Sequence, residues 1–344
     1  MKGGTNMAKI MVLGAGGFGI SLSVMLHKYG HEVCLWSALK DEIDGIRTYG
    51  ENKKLLPGVA VDASIELTTD AQLALDAEVI IFAVASKFVR DVCVKFKPFI
   101  KKDTILVNVG KGFEDTTSLR LSEVIQSEFP DNHVVILSGP SHAEEIARGV
   151  PTTIVAASTN LESAQYIQDL LMNTNLRVYV NDDIVGVELG GALKNIIAVC
   201  AGVCDGLLLG DNTKAALMTR GLAEIARLGI AMGAKMETFA GLTGMGDLIV
   251  TCTSMHSRNR RCGIFIGQGL PAQEAISRVG MTVEGCAATK TAYELSKKYN
   301  VDMPITTEIY NVLYNEKEIK TALGDLMGRP KRHESEEVWL LENK

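Results

Sequence analysis

The sequence predicts an N-terminal doubly wound α/β sheet followed by an all-α C-terminal domain. Three observations carry this. Short apolar runs alternate with helical stretches as far as about Asn181. Beyond it the apolar residues recur with a 3.6-residue period and β-branched blocks become rare. The first apolar run, KIMVL, breaks straight into Gly14-Ala15-Gly16-Gly17-Phe18-Gly19, and the next seven residues can be helical.

Strands are expected at Lys9–Leu13, Glu32–Trp36, Val79–Val84, Thr104–Asn108, Val134–Leu137, Thr153–Ala157 and Arg177–Val180. Several are unbroken apolar runs, such as VIIFAV at 79–84, which suits strands buried on both faces. Helices fall between most of them, for example Leu119–Phe129 and Leu161–Leu171. A short helix at Ser141–Arg148 leaves room for the chain to reverse, so the last strands can pair in a different sense. Helices then follow at Val185–Leu208, Thr213–Met232, Ala287–Lys298, Thr306–Tyr314 and Ile319–Met327. The expected domains are 7–185 and 186–340. No repeat, low-complexity tract or flexible linker separates them, which suggests close packing with a ligand cleft between. Residues 330–344 read as a polar surface tail with a short helix.

Composition narrows the function. The 344 residues are 47% hydrophobic and 22% charged, a globular balance with room for a substantial core. A net charge of −6 gives a nucleic-acid partner no electrostatic support. No apolar run reaches the roughly 18–20 residues of a membrane span. The opening MKGGTNMAK has no hydrophobic signal core, Met7 offers an alternative start, and the first residues are expected to be disordered. Seven cysteines, odd in number and scattered, suit reduced thiols in the cytoplasm. Cys200 and Cys204 share a helical face, but no other His or Cys lies near them in sequence, so no metal site is expected.

Strand, glycine turn and helix together are the context a dinucleotide fingerprint requires, which makes the first domain Rossmann-type. Gly14 would allow the tight turn, Gly16 would let backbone N–H groups reach a pyrophosphate, and Gly19 would let the helix lie close to the strand. The helix N-terminus favours the anion. Four further clusters stand out. Lys111, flanked by glycines in NVGKG directly after the strand ending at Asn108, suits a ligand or a solvated loop. Ser141 and Glu144, in SGPSHAEE, have capping-box spacing, and Ser141 can cap a helix while facing the same cleft. His142 beside them is either an acid–base group or a surface histidine. Lys194 lies in the apolar helix GGALKNIIA, where a lysine must snorkel outward or face a polar cleft. Asp247 follows the glycine-rich GLTGMG and is either a charge partner or a helix cap. Arg258, Arg260 and Arg261 form a positive cluster in SRNRR, and Arg258 could grip phosphate in a bidentate fork or sit in a solvated turn.

These clusters together resemble the NAD(P)-dependent glycerol-3-phosphate dehydrogenase family of bacterial type. The matching pieces, in order, are GAGGFG (14–19), FAVAS (82–86), NVGKGFE (108–114), SGPSHAEEIARGVPT (138–152), GGALKNIIA (190–198), TRGLAEIARLG (219–229), GLTGMGDLIVTC (241–252), SRNRRCG (257–263) and VEG (283–285). The resemblance implies reduction of dihydroxyacetone phosphate to sn-glycerol 3-phosphate with NAD or NADP as cofactor, feeding phospholipid synthesis. It implies Lys194 as the catalytic lysine, with Lys111 and Asp247 beside it. It further implies Lys111, Gly139, Ser141, Asp247, Thr251, Ser257, Arg258 and Asn259 on the substrate side. Cofactor contacts fall to Gly14, Gly16, Gly17, Phe18, Gly19, Ala38, Lys111, Ala143, Arg258 and Glu284. A cytoplasmic homodimer acting on a small phosphorylated substrate, with neither nucleic acid nor membrane span, completes what it implies.

Two departures from the family pattern matter. Ala85 stands where FAVPS is usual, which loosens a loop but removes no functional group. After Trp36, Ser37-Ala38-Leu39-Lys40 offers neither an acid for the ribose hydroxyls nor an early arginine for a 2′-phosphate, so the choice between NAD and NADP is open, with Lys40 in reach of a 2′-phosphate. Rival expectations are a ketopantoate or 3-hydroxyacid dehydrogenase of the same architecture, which would need a carboxylate site, and a non-catalytic dinucleotide sensor, which would not need a proton donor.

Overall fold

The computed structural model describes residues 7–173, 175–331 and 333–334. The first unit is built on eight strands: β1 (Lys9–Leu13), β2 (Glu32–Trp36), β3 (Glu66–Thr68), β4 (Val79–Phe82), β5 (Ile105–Asn108), β6 (Val134–Ser138), β7 (Thr152–Ala157) and β8 (Leu176–Asn181). They form one sheet in the order β3-β2-β1-β4-β5-β6-β7-β8. All neighbours are parallel except β6 and β7, which pair antiparallel through Ile136–Ala157, Leu137–Ala156 and Ser138–Val155. The reversal falls where the short helix was expected to permit it. Among the described residues of this unit the α-helices are α1 (Gly17–Lys28), α2 (Lys40–Tyr49), α3 (Val89–Phe96), α4 (Leu121–Glu128), α5 (Ala143–Ala147) and α6 (Leu161–Leu171). The core lies on the sheet: every residue of β4 is buried, and Ile10, Val12, Leu35, Ile81, Val107 and Val135 pack in one apolar cluster.

The glycine turn works as steric arithmetic. Gly14 has φ +123° and hydrogen-bonds Trp36 O across the strand end. A Cβ there would sit 2.7 Å from Ala83 O, and one at Gly19 would overlap Gly14 O. Only glycines let α1 start this close to the ends of β1 and β4. The strand expected at Val79–Val84 accordingly ends at Phe82, because Ala83 and Val84 already form the wall against which Gly14 turns. β3 escaped sequence detection: it has three residues and no apolar run.

The chain divides into two compact units between Glu188 and Leu189. The dividing point lies inside a 23-residue helix, α7 (Ile184–Gly206). Among the described residues α7 is the helix long and apolar enough to cross a membrane, but 89% of its apolar window is buried inside the protein, the signature of a core helix. On the N-terminal side Glu188 accepts from Arg120 (2.6 Å) and from Ser122 N (2.8 Å), which ties the start of α7 to the start of α4.

The helical unit continues with α8 (Gly210–Ala231), α9 (Met236–Phe239), α10 (Asp247–Thr253), α11 (Arg258–Gly267), α12 (Ala272–Val279), α13 (Glu284–Lys298), α14 (Pro304–Tyr314) and α15 (Ile319–Met327). α11 was not foreseen, because SRNRR reads as a basic turn; here Ser257 caps it by accepting from Arg260 N at 3.2 Å. α7 and α11 touch backbone to backbone: a Cβ at Gly202 would overlap Arg260 O, and one at Gly263 would overlap Val199 O. The expected tail at 330–344 lies outside the described residues beyond Glu334, as do the N-terminal residues 1–6.

α14 starts on a buried carboxylate. Glu224 of α8 accepts from Ile305 N (2.6 Å), Thr306 N (3.1 Å) and Thr306 Oγ1 (3.1 Å). Burial nevertheless pushes its carboxyl up to about 7. A folded-state value above the unfolded one means that the stabilisation is complete at acid pH and is lost as pH rises through about 7. Compared with Glu224→Gln, the wild type should therefore lose up to about 3 kcal/mol of relative stability between about pH 5 and pH 8. Urea denaturation of both proteins across that range checks this; a difference independent of pH contradicts it.

Candidate active site

In the first unit the residues expected at a cofactor gather around the start of α1. Its N-cap position, Gly16, makes no side-chain cap bond, and its first turn carries no acidic residue. The helix thus presents backbone N–H groups and the positive end of its dipole with no competing carboxylate. A Cβ at Gly16 would point into open space, where a pyrophosphate can approach. Gly17 faces Leu55 O and the Ala143 methyl, and Ser21 Oγ donates to Ala143 O at 2.8 Å, so α5 starts beside α1. Phe18 packs on the sheet core. These residues fit a dinucleotide. Ala38 is exposed just beyond β2, where Ser37 Oγ donates to Glu42 at 2.6 Å and Lys40 is 80% exposed.

A second group lies at the ends of β5 and β6. Lys111 is half-buried, and its Nζ donates to Gly139 O (2.9 Å) and Ser141 Oγ (3.4 Å). Ser141 Oγ donates in turn to Gly139 O at 2.9 Å. The structure thus brings Lys111, Gly139 and Ser141 together. The capping box expected at Ser141 and Glu144 does not form, because α5 starts two residues later with His142 at its N-cap position and the serine faces the lysine instead.

In the helical unit Lys194 does not snorkel. It is buried on α7, with Nζ 2.9 Å from Asp247 Oδ1 and 2.5 Å from Thr251 Oγ1. Asp247 and Thr251 lie one turn apart on α10 and are themselves buried. Thr251 Oγ1 also lies 2.6 Å from Asp247 O and 3.3 Å from Asp247 Oδ1. Asp247 is therefore no cap; the π-turn Leu242–Gly246 leads directly into α10 and aims its carboxylate at the lysine. That carboxylate offsets part of the cost of burying an ammonium.

Arg258 opens α11, half-buried. Its neighbour Asn259 is a bridge: Nδ2 donates to Asn195 Oδ1 and Oδ1 accepts from Gly285 N, both at 2.9 Å. Gly285 follows Glu284 at the start of α13, so the amide side chain next to Arg258 holds both Lys194's neighbour and Glu284's neighbour. Sequence reasoning did not single out Asn195. Its only signal is a second polar residue in an apolar helix, directly after the lysine. Arg260 of the basic cluster is structural: it pairs with Asp205 (2.7 Å) and donates to Thr253 O (2.6 Å).

The comparisons with known proteins point one way. Family models for the N-terminus and the C-terminus of NAD-dependent glycerol-3-phosphate dehydrogenase match residues 9–164 and 183–324. A glycerol-3-phosphate dehydrogenase [NAD(P)+] of Clostridium perfringens is 54% identical over 95% of this chain and 99% of its own length. The chain belongs to the NAD-dependent glycerol-3-phosphate dehydrogenase family. A Bacillus subtilis glycerol-3-phosphate dehydrogenase is 51% identical over 96% of this chain and 97% of its own. The crystal structure of glycerol-3-phosphate dehydrogenase from Coxiella burnetii superposes with a TM-score of 0.90 at 36% identity, covering 94% of this chain and 99% of that one. A ketopantoate reductase from Ralstonia eutropha shares the fold alone, with a TM-score of 0.58 at 15% identity over 93% of this chain and 99% of its own.

The buried pair makes this dehydrogenase sensitive to charge imbalance. Asp247→Leu strands an ammonium in the core and should cost about 3–5 kcal/mol of stability, whereas adding Lys194→Met should restore most of it. Chemical denaturation of the single and double variants measures the coupling. A double variant as unstable as Asp247→Leu alone would show that the aspartate acts through packing, not charge.

Proposed function

We propose that Lys194 gives a proton to the carbonyl oxygen of dihydroxyacetone phosphate during reduction and takes it back from sn-glycerol 3-phosphate during oxidation. The enzyme is an NAD(P)-dependent glycerol-3-phosphate dehydrogenase by family, and the bound nicotinamide supplies the hydride. The observation that carries the assignment is a buried lysine whose partners include the Asp247 carboxylate and the Thr251 hydroxyl. Charge develops on the carbonyl oxygen as the ketone is reduced, and an ammonium held in a dry site stabilises it before surrendering the proton. Asp247 would balance the ammonium's charge, and Thr251 would fix its direction. Backbone N–H groups at the start of α1 would hold the cofactor pyrophosphate, with Gly16, Gly17, Phe18 and Ala143 around it. Gly14 and Gly19 permit the turn itself. Lys111, Gly139 and Ser141 would orient the ligand, and Glu284 would contact the cofactor. Ser257 and Asn259 would serve the substrate from their structural positions on either side of Arg258, by capping α11 and by holding Asn195 and Gly285. A cytoplasmic homodimer completes the assignment, the scattered and odd cysteines supporting a reducing compartment.

Arg258 is the proposed phosphate anchor, since its planar fork matches a phosphate as a lysine cannot. Arg258→Ala should lower kcat/KM for dihydroxyacetone phosphate by at least about tenfold, the loss expected for a charge-assisted contact of roughly 1.5–3 kcal/mol. Arg258→Lys should lose less, and unphosphorylated dihydroxyacetone should be little affected. Steady-state kinetics on both ketones decides: equal losses would assign the arginine to the cofactor or the fold.

A further inference from the structure

The chain between β5 and α4, residues 109–120, carries Lys111, whose ammonium donates to Gly139 O and Ser141 Oγ. The glycines on either side of that lysine contribute no side chain that could hold the segment. Its shape is set at the flanks instead. Before the lysine, the Asn108 amide brackets Gly110: Nδ2 donates to Gly110 O at 3.1 Å, and Oδ1 accepts from Gly110 N at 3.2 Å. After it, Phe113 is buried and pairs with Arg120 in an isolated β-bridge. Glu114 N donates to Leu119 O (3.0 Å) and Ser118 N donates to Glu114 O (2.8 Å), which closes a short loop.

Glu114 is itself buried, and its carboxylate is gripped from α3. Arg90 Nε donates to Oε1 at 2.5 Å and Arg90 Nη2 to Oε2 at 2.9 Å. This is a bidentate fork, the strong form of an arginine–carboxylate contact. The same contact holds the Glu114 carboxyl below the usual carboxylate range. Arg90 Nη1 continues to Glu128 Oε1 (2.9 Å) and Ser127 Oγ (3.3 Å) of α4, so one guanidinium joins α3, the lysine's segment and α4. We propose that Arg90 is a positioning residue for the reaction: by clamping Glu114, three residues after Lys111, it fixes the backbone from which the lysine reaches the ligand. The inference rests on the reading of Lys111 as a ligand-orienting group. Arg90 acts through the segment and not on the ligand, since Nε, Nη1 and Nη2 are each engaged by Glu114, Glu128 or Ser127. Without Arg90, the side-chain donor left to Glu114 among the described residues is the Thr117 hydroxyl. A buried carboxylate so stripped of its counter-charge moves toward water and takes its segment with it.

A double-mutant cycle tests this, read as the Kd of dihydroxyacetone phosphate in the presence of oxidised cofactor. That pair cannot react, so a loss of turnover does not obscure binding. Lys111→Ala alone should weaken binding. Arg90→Ala should weaken it roughly three- to tenfold in the wild-type background but less than about twofold in Lys111→Ala, the non-additivity of residues that act as one unit. Arg90→Lys offers a point charge in place of the fork and should recover part of the loss. Circular dichroism checks the fold, and Arg90→Lys carries the cycle should Arg90→Ala fail to fold. An arginine that merely supports the fold would weaken binding by the same factor in both backgrounds, and that result overturns the proposal. Wild-type affinity in Arg90→Ala overturns it as well. Wild-type affinity in Lys111→Ala is a different failure, visible in that single variant: it removes the reading of Lys111 and the inference with it.

Discussion

A charged lysine buried in an apolar helix is the constraint on which the helical unit depends. An unpaired ammonium in such surroundings costs several kcal/mol, so its counter-charge must arrive from elsewhere in the chain and with good geometry. Asp247 is 53 residues away in sequence and reaches Lys194 at 2.9 Å. The π-turn before α10, the one-turn spacing of Asp247 and Thr251, and the close approach of Gly190 on α7 to Thr243 O in that turn all serve that meeting. In the proposed mechanism the same arrangement would also hold a proton ready for transfer.

The first unit solves the opposite problem. At the start of α1 it offers positive potential from backbone groups, through a helix N-terminus whose first turn carries no acids. Lys111 is the side-chain charge at these strand ends whose direction is fixed, by Gly139 O and Ser141 Oγ. Beyond β2, Lys40 is exposed and 4.0 Å from Asp44.

The legible parts of this protein were those encoded by local pattern. GAGGFG, the apolar strand runs and the 3.6-residue periods placed most of the sheet and the long helices, because each is a contiguous signal. Lys194 was visible as a charge out of place. What was hidden depended on distant partners. Ser141 looked like a cap, and only Lys111, 30 residues earlier, shows why it is not. Asn195 and Asn259 join α7, α11 and α13 through a bond between residues 64 apart, which no local pattern can reveal. Ser257 and Arg260 carry local structural duties that a basic cluster conceals, and β3 is too short to have a period.

The most direct test of the central claim is the turnover of Lys194→Ala with saturating dihydroxyacetone phosphate and reduced cofactor, measured with and without a small primary amine. Proton transfer by the lysine predicts a loss of at least about 10²-fold in kcat, cofactor affinity close to wild type, and partial recovery in the presence of the amine. A variant that keeps more than about a tenth of wild-type kcat, where acid–base catalysis is worth roughly 10²–10⁴-fold, would contradict the assignment.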